Sequence, residues 1–203
     1  DAMTHLVLVR HGETEWNRLG QVQGSTDIPL NDTGRRQAQD AAKRLAALVT
    51  VTPDTVIVSS DLSRAHETAQ IIAAELGAGS VRTDPDLQER AYGEAEGTSA
   101  GEFLRKWGAW HTAEIPGAES RESVRDRGLR AVQRATAELR LRTAPSAASL
   151  VMVAHGGLIR ELIRHASGSE LPRDGERLAN ASLTHFLVER ERLRVLSYPI
   201  AAA

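Results

Sequence analysis

The sequence predicts an α/β protein, with a three-layer α/β/α sandwich built around a mainly parallel central sheet. Three short apolar runs, at residues 6–9, 55–58 and 149–154, are each followed by polar residues and then by a helical pattern. This repeated order favours parallel strands with helices on both faces. Aromatic residues make up only 3% of the chain, so the core between those layers is expected to be aliphatic and rich in alanine.

The first apolar run leads into a group of polar residues. Residues 6–9 are typical of a strand buried on both faces, and they continue into Arg10, His11 and Gly12. Gly12 has no Cβ to obstruct a sharp turn, and residues 13–19 are expected to form a short helix. His11 therefore lies at a predicted strand-to-helix junction, where open α/β sheets bind their ligands.

Capping residues predict where the next two helices begin. Asp32 or Thr33 is expected to cap the first of them. The second buried strand, residues 55–58, leads to Asp61, which is expected to cap the other helix. Arg64 then falls in the first turn of that helix, at a second strand-to-helix junction.

The middle of the chain predicts a lid. A short strand at residues 81–83 precedes an acidic loop, residues 86–97, and residues 100–111 have the spacing of a helix. Three aromatic residues lie on roughly one face of that helix: Phe103, Trp107 and Trp110. Such a face packs on or over a core, so residues 90–123 are expected to form a short lid over the carboxyl edge of the sheet.

The last third of the chain predicts a long helix, the third junction and a closing hairpin. Glu119 or Ser120 is expected to begin the helix, which ends before Pro145. After the third buried strand and its junction, residues 182–189 and 193–196 are expected to pair as an antiparallel hairpin.

The three junctions are expected to converge, because every strand-to-helix junction of a parallel sheet lies at the same edge. Arg10 with His11, Arg64, and His155 would then surround one point. Taken singly, Arg64 is as well explained as a surface cation and His155 as a hydrogen-bonded junction residue. Together, two guanidinium groups, two imidazoles and helix N-termini suit a compact dianion, which indicates a phosphoryl group.

Composition limits the function classes. With 25 basic and 27 acidic residues, the net charge of −2 gives no overall field for nucleic acid, so the expected partner is a small molecule. The sequence has no cysteine, which excludes disulfides, thiolate nucleophiles and cysteine-ligated metals. No signal peptide or membrane span is visible, so a cytoplasmic location is expected. The length predicts one domain over residues 1–203. Met3 is the expected natural start, with Asp1 and Ala2 as additions before it.

Other phosphate sites lack their sequence patterns. There is no Walker A glycine-lysine pattern, no GxGxxG after the first strand, and no cysteine for a cysteine-arginine phosphatase loop. A histidine nucleophile therefore remains. Neutral imidazole is a good nucleophile near pH 7, and it forms a phosphoramidate that water can cleave later.

The leaving group of a phosphate ester also needs a proton. A carboxylic acid shielded among apolar neighbours and close to phosphate can supply it. Four carboxylates of the acidic loop are candidates by position alone: Asp86, Glu89, Glu94 and Glu96.

Several separated motifs resemble one family. They are Arg10-His11-Gly12-Glu13-Thr14 after the first strand, Asn17, Ser59 to Ala65 with Arg64, Glu89 before Tyr92-Gly93, and His155-Gly156-Gly157. In this order they resemble the histidine phosphatase superfamily, also called the phosphoglycerate mutase-like family. The resemblance runs from the first strand to the helix after His155.

The resemblance implies roles for individual residues. His11 would take the phosphoryl group, Arg10, Arg64 and His155 would hold it, and Glu89 would be the proton donor. Further phosphate or substrate contacts are expected from five residues: Asn17, Gln23, Gly24, Tyr92 and Gly156. Because the arginines and His155 neutralise the phosphoryl oxygens, no metal and no cofactor is expected.

The family contains phosphomonoesterases and mutases, and a hydrolase of small phosphorylated metabolites is the favoured reading. The lid is short, has no Arg-Arg pair, and carries Ala100 where the mutase pattern has lysine; residues 116–120, with Val124 and Arg127, resemble the phosphatase branch. Tyr92 is the feature that favours the alternative, a 2,3-bisphosphoglycerate-dependent phosphoglycerate mutase. A catalytically silent binding module is a remote alternative.

Two questions stay open at this stage. Lys106, Trp107 and Arg121 either contact substrate or form lid surface and core, and a homodimer is left open.

Overall fold

The computed structural model describes residues 3–143, 149–190 and 192–199. In chain order the strands and helices are β1 (Thr4–Arg10), α1 (Glu15–Leu19), α2 (Asp32–Leu48), β2 (Val56–Ser59), α3 (Ser63–Leu76), β3 (Val81–Thr83), α4 (Ala100–Trp107), α5 (Arg121–Thr143), β4 (Leu150–Ala154), α6 (Gly156–Ala166), β5 (Leu183–Val188) and β6 (Leu193–Ser197). The predictions for Asp1, Ala2 and Pro145 lie outside the described residues. No helix within the described ranges is long and apolar enough to cross a membrane.

One six-stranded sheet organises the chain, in the order β3-β2-β4-β1-β5-β6. The first four strands of that order pair in parallel, whereas β5 runs antiparallel to β1 and β6 antiparallel to β5. The mainly parallel sheet and the closing hairpin are therefore confirmed. Because β4 lies between β2 and β1, the three junctions that follow these strands are neighbours at one edge.

Helices cover both faces of the sheet, which confirms the three layers. Alternate residues of β1 point to opposite faces. Leu6 and Leu8 belong to the apolar cluster that packs against α5 and α6, while Val7 and Val9 belong to the cluster packed against α2 and α3. All four side chains are fully buried, and each contributes about 1.5–3 kcal/mol to folding by its removal from water.

Two predicted helix caps are wrong. The N-cap of α2 is Asn31, whose side chain accepts a hydrogen bond from the Gly34 backbone N–H, so the helix begins one residue earlier than a cap at Asp32 would place it. The N-cap position of α3 is Leu62, without a side-chain bond, and Asp61 instead accepts a hydrogen bond from Gln88. The partner of Asp61 is far along the chain, and a local pattern does not reveal it.

The lid helix is shorter than predicted. Helix α4 ends at Trp107 because Gly108 adopts a φ of 79°, which breaks the helical backbone. Trp110 therefore lies beyond the helix, yet its ring still packs on Phe103, with ring centroids 4.7 Å apart. The long helix begins at Arg121, and Ser120 Oγ accepts a hydrogen bond from the Ser123 backbone N–H, as expected of a residue that precedes the helix.

Candidate active site

The structure brings the predicted junction residues together at the carboxyl edge of the sheet. The backbone N–H of His11 donates to the carbonyl of Ala154, which aligns the junction after β1 with the one after β4. The His11 and His155 rings lie with centroids 5.1 Å apart. Both rings and the Arg64 side chain are buried, so these three side chains are sheltered from water.

The turn after β1 depends on two glycines. A Cβ on Gly12 would lie 2.4 Å from the carbonyl oxygen of Gly34, at the start of α2. A Cβ on Gly34 would in turn lie 2.3 Å from the carbonyl oxygen of Glu13. The two backbones therefore touch directly, and α2 fixes the turn that presents His11.

Hydrogen bonding defines the tautomer of His11. Its Nδ1 lies 2.6 Å from the carbonyl oxygen of Gly12, and because a carbonyl only accepts, Nδ1 carries the hydrogen. The Nε2 atom then has the free lone pair. Burial lowers the pKa of His11 well below its usual value, and the nearby Arg10 and Arg64 lower it further, so the ring is neutral near pH 7.

His155, at the third junction, is held by a serine of the second junction. Its Nε2 lies 2.9 Å from Ser60 Oγ, which also accepts a hydrogen bond from the Leu62 backbone N–H. Burial, followed by the charges of Arg64 and the other site groups, lowers the pKa of His155 well below its usual value. When the Ser60 hydroxyl donates to Nε2, the hydrogen of the neutral ring is on Nδ1.

The Arg64 side chain is fully buried between α3 and the loop that precedes α2. One Nη atom donates to the carbonyl of Gly24 at 2.5 Å and the other to the carbonyl of Thr26 at 2.6 Å. Burial lowers the pKa of Arg64 to about 10, although Glu89 and Asp27 oppose the shift. The guanidinium therefore keeps its positive charge at neutral pH.

Arg10 lies against the first residue of α6. Its Nη1 donates to the carbonyl of Leu178, and a Cβ on Gly156 would lie 3.3 Å from Arg10 Nε. Burial lowers the pKa of Arg10, while Glu89 acts in the opposite direction. Gly156 thus allows the guanidinium to approach the N-terminus of α6.

Three buried nitrogen atoms of this group have no hydrogen-bond partner. Across the part of the chain that the structure describes, five buried side-chain atoms are unpartnered: Arg10 Nε, Ser59 Oγ, Arg64 Nε, Thr136 Oγ1 and His155 Nδ1. A buried donor without a partner costs about 1–3 kcal/mol. The concentration of three such nitrogens around His11 indicates a site for an anion with several oxygens.

Glu89 lies at the N-terminus of α6. Its Oε2 accepts from the Gly157 backbone N–H at 2.8 Å, and its Oε1 accepts from Leu158 at 3.1 Å and from Arg90 at 2.8 Å. The carboxylate is buried, with 7% of the residue exposed. A helix N-terminus favours a negative group, which accounts for this position.

The other three carboxylates of the acidic loop lie elsewhere. Asp86 pairs with Arg134 at 2.7 Å, and Glu94 is exposed. Glu96 accepts from the backbone and hydroxyl of Thr26, at 2.8 and 2.5 Å, and so holds the loop whose carbonyls bind Arg64. Geometry therefore distinguishes Glu89, which position in the sequence could not.

The residues predicted to bind substrate or phosphate fall into two groups. Gly24 and Gly156 support Arg64 and Arg10, as described above, and Gln23 accepts a hydrogen bond from the Thr14 hydroxyl at 2.6 Å. Tyr92 lies next to Glu89 at the start of α6. A Cβ built on Gly157 would be 3.0 Å from the Tyr92 hydroxyl and 2.5 Å from Glu89 Oε1. Burial raises the pKa of Tyr92, and Glu89 adds to that shift, so its hydroxyl stays a donor.

Asn17 is oriented by a residue that sequence reasoning missed. Asn180 Nδ2 donates to Asn17 Oδ1 at 3.1 Å and to the carbonyl of His11 at 3.2 Å. Because its oxygen is occupied, Asn17 can offer its Nδ2 group to a phosphate. Asn180 directly precedes Ala181, whose φ of 60° is unusual for alanine. The available sequence signal for Asn180 was its position just before β5, the strand that pairs with β1.

The predicted lid, residues 90–123, meets this edge of the sheet at Tyr92, which lies beside Gly157. Tyr92 packs on Trp110, with ring centroids 5.2 Å apart. Lys106 pairs with Glu102 at 3.0 Å on the surface, and Arg121 donates to the carbonyl of His111 at 3.2 Å. In the described conformation Lys106 and Arg121 therefore bind lid atoms.

Comparison with known proteins places this geometry in a family. The family model of the histidine phosphatase superfamily (branch 1) matches residues 6–200. The chain is 39% identical over 190 residues to phosphoglycerate mutase-like protein 4 of Arabidopsis thaliana, which covers 89% of this chain and 78% of that protein. It is 36% identical over 201 residues to the uncharacterized phosphatase PhoE of Bacillus subtilis, which covers 98% of this chain and 95% of that protein.

A solved structure agrees with these relatives. The mycobacterial glucosyl-3-phosphoglycerate phosphatase in complex with VO3 superposes with a TM-score of 0.82 and 29% identity, over 98% of this chain and 100% of that one. The resemblance inferred from the motifs is confirmed. The chain belongs to the histidine phosphatase superfamily, branch 1, and is a phosphoric monoester hydrolase of that family.

Proposed function

We propose that the protein hydrolyses small phosphorylated metabolites in two steps, through a phosphohistidine on His11. The observation that carries the proposal is the arrangement of three unpartnered buried nitrogens, on Arg10, Arg64 and His155, around a neutral imidazole. Phosphoryl oxygens would satisfy these donors. The Nε2 lone pair of His11 would then face the phosphorus atom.

The first step forms one bond and breaks another. Nε2 of His11 attacks phosphorus, the bond from phosphorus to the ester oxygen breaks, and a proton passes from Glu89 to that oxygen. As the ring gains positive charge, the hydrogen bond from Nδ1 to the carbonyl of Gly12 strengthens and stabilises it. The arginines and His155 neutralise the charge on the phosphoryl oxygens.

The second step returns the enzyme to its starting state. A water molecule attacks phosphorus and gives its proton to the Glu89 carboxylate, while the bond from Nε2 to phosphorus breaks. Free phosphate leaves and His11 recovers its lone pair. Glu89 is the candidate for both proton transfers because its carboxyl group lies beside Arg10 and the backbone N–H groups at the start of α6.

The proposal needs no metal and no cofactor. Among residues 3–143, 149–190 and 192–199, no group of three or more histidine, aspartate or glutamate side chains is arranged to hold a metal ion. The charge on the phosphoryl oxygens is met by the two guanidinium groups. The expected partner is a small phosphate ester, with no nucleic acid or membrane involved.

The remaining organisation is part of the same proposal. Residues 1–203 would act as one domain in the cytoplasm, and a homodimer stays open.

Phosphoglycerate mutase activity is the second candidate. Tyr92, buried beside Glu89, favours it, and so does the name of the Arabidopsis relative. The relative named a phosphatase and the phosphatase structure favour hydrolysis. Incubation with 3-phosphoglycerate, with and without 2,3-bisphosphoglycerate, separates the two: net phosphate release supports a hydrolase, and rapid primer-dependent formation of 2-phosphoglycerate supports a mutase.

The proposal as a whole is tested by trapping the intermediate. Enzyme quenched during turnover of a labelled phosphate ester should carry an acid-labile, base-stable phosphate, and His11→Ala should abolish both the label and turnover. Asn17→Ala is the matched control at the same junction, and it should weaken turnover while keeping the label. A label that survives in His11→Ala would assign the nucleophile elsewhere.

A further inference from the structure

An ion pair outside the phosphate site connects the lid to helix α5. Arg127 Nε donates to Glu119 Oε2 at 2.9 Å, and its Nη2 donates to Oε1 of the same carboxylate at 2.9 Å. Only 11% of the Arg127 side chain and 20% of the Glu119 side chain are exposed. A bidentate, mostly buried ion pair of this kind has a defined geometry, unlike a surface ion pair.

The same guanidinium holds the backbone that leads to Glu89. Arg127 Nη1 donates to the carbonyls of Asp86 at 2.8 Å and Gln88 at 2.5 Å, and Nη2 donates to the carbonyl of Glu89 at 3.1 Å. Three carbonyls of one short segment are thus bound by one side chain.

Glu119 holds the chain on the other side of Glu89. Its backbone N–H donates to the carbonyl of Ala91 at 2.8 Å, and its carbonyl accepts from Arg90 Nε at 2.7 Å. The residues just before and just after Glu89 are therefore bound by the two members of one ion pair.

We propose that Arg127, together with Glu119, is a positioning residue for Glu89. The pair sets the backbone at residues 86–91 so that the carboxyl group meets the backbone N–H groups of Gly157 and Leu158 and the ester oxygen of the substrate. This inference rests on the proposed function, in which Glu89 is the proton donor. A shift of the proton donor by about 1 Å costs roughly 100-fold in rate. The loss of rate on removing the Arg127 contacts is therefore large enough to measure.

A merely structural role for Arg127 makes a different prediction from a positioning role. Loss of structure would slow all substrates alike. Loss of Glu89 alignment slows alkyl phosphates far more than aryl phosphates, because a phenolate-type leaving group departs with little protonation. The dependence of kcat/KM on the leaving group therefore separates the two roles.

Helix α5 supplies a matched control. Arg134 lies seven residues further along the same helix and binds the side chains of Asp84 and Asp86, at 2.8 and 2.7 Å. Arg134→Met removes the same charge and a contact to the same loop, but no contact to the residues on either side of Glu89. The control variant should keep kcat/KM within about 2-fold of the unaltered protein on both kinds of ester.

The experiment compares Arg127→Met, Arg134→Met, Glu89→Gln and the double variant Arg127→Met/Glu89→Gln on one alkyl and one aryl phosphate. Arg127→Met should lose about 100-fold on the alkyl ester and under about 5-fold on the aryl ester. In the double variant the alkyl loss should equal that of Glu89→Gln alone, because the residue being positioned is already disabled. Equal losses of Arg127→Met on both esters, or additive losses in the double variant, would overturn the inference.

A second pair of variants covers a failure to fold. If thermal unfolding shows that Arg127→Met is not folded, Arg127→Lys and Glu119→Gln take its place, since each keeps part of the pair and should show the same selective loss at smaller size. The outcome is distinguishable from failure of the proposed function. If Glu89→Gln itself affects both esters equally, the assignment of the proton donor fails; if Glu89→Gln is selective and the Arg127 and Glu119 variants are not, only the positioning role fails.

Discussion

Gly157 is the position where a single methyl group should disable the site. It is the second residue of α6, and a Cβ built there would lie 2.5 Å from Glu89 Oε1 and 3.0 Å from the Tyr92 hydroxyl. Real Cβ atoms do not approach so closely, so in Gly157→Ala the Glu89 carboxylate has to move. Its hydrogen bonds to the Gly157 and Leu158 backbone N–H groups would lengthen or break.

The size of the effect follows from these contacts. Hydrogen bonds to a charged group contribute about 1.5–3 kcal/mol each, and steric overpacking costs about 1–3 kcal/mol. The helix propensity of alanine returns only about 1 kcal/mol. With one of these hydrogen bonds lost, we expect a net destabilisation of about 1.5–5 kcal/mol. Because the carboxyl group shifts by about 1 Å, we also expect a loss of roughly 100-fold in kcat/KM on alkyl phosphates.

Gly101 provides the control, because it is the second residue of helix α4 as Gly157 is of α6. A Cβ there would meet only Arg105 Nη1 at 3.6 Å, which is an ordinary contact. Gly101→Ala should be stable and fully active, and thermal unfolding with steady-state kinetics measures both variants. If Gly157→Ala keeps kcat/KM within about 3-fold of the unaltered protein, the position assigned to the Glu89 carboxylate is wrong.

Two further predictions concern pH and metal. The pKa values of His11 and His155 are lowered by burial in the folded state, so the unfolded state binds more protons once the pH falls below the usual value of 6.5. The contribution of these two histidines to the free energy of unfolding should therefore be constant above this pH and decrease below it, by up to about 1.4 kcal/mol per pH unit for each histidine. Urea unfolding at pH 8 and pH 5.5 measures this change. Equal stability at both pH values would contradict the neutral buried rings. Exhaustive chelation should leave kcat unchanged, whereas activity lost with a chelator and restored by magnesium or manganese would refute the metal-independent mechanism.

The sequence predicts the convergence of the junctions because strand and helix periods are local properties. Residues 6–9 and 150–154 are apolar at every position, which is typical of a strand buried on both faces. Because the strands are parallel, His11 and His155, which each directly follow a strand, must lie at the same edge of the sheet. The fold class and the centre of the site were accessible for this reason.

The supporting contacts were not accessible, because each depends on segments far apart in the chain. Glu89 lies in a loop without a period, and its place at the start of α6 depends on hydrogen bonds to residues about 70 positions later. Asn180 and Arg127 are ordinary polar residues until their partners are known. The cap at Asp61 failed for the same reason, because its partner Gln88 lies 27 positions away. The cap at Asp32 failed by one position, because the neighbouring Asn31 makes the local bond to Gly34.

The attachment of the lid has a consequence for exchanging specificity between related chains. Helix α4 and the turn after it pack on the rest of the lid through Phe103, which clusters with Ala95, and through Trp110, which packs on Tyr92. The segment around Glu119, in contrast, is bound to Arg90 and Ala91, directly after Glu89. A graft that replaces the whole lid would import a foreign partner for Arg127 and disturb the proton donor. A graft with its joints at residues 100 and 115 would carry a new substrate surface and leave that partner in place.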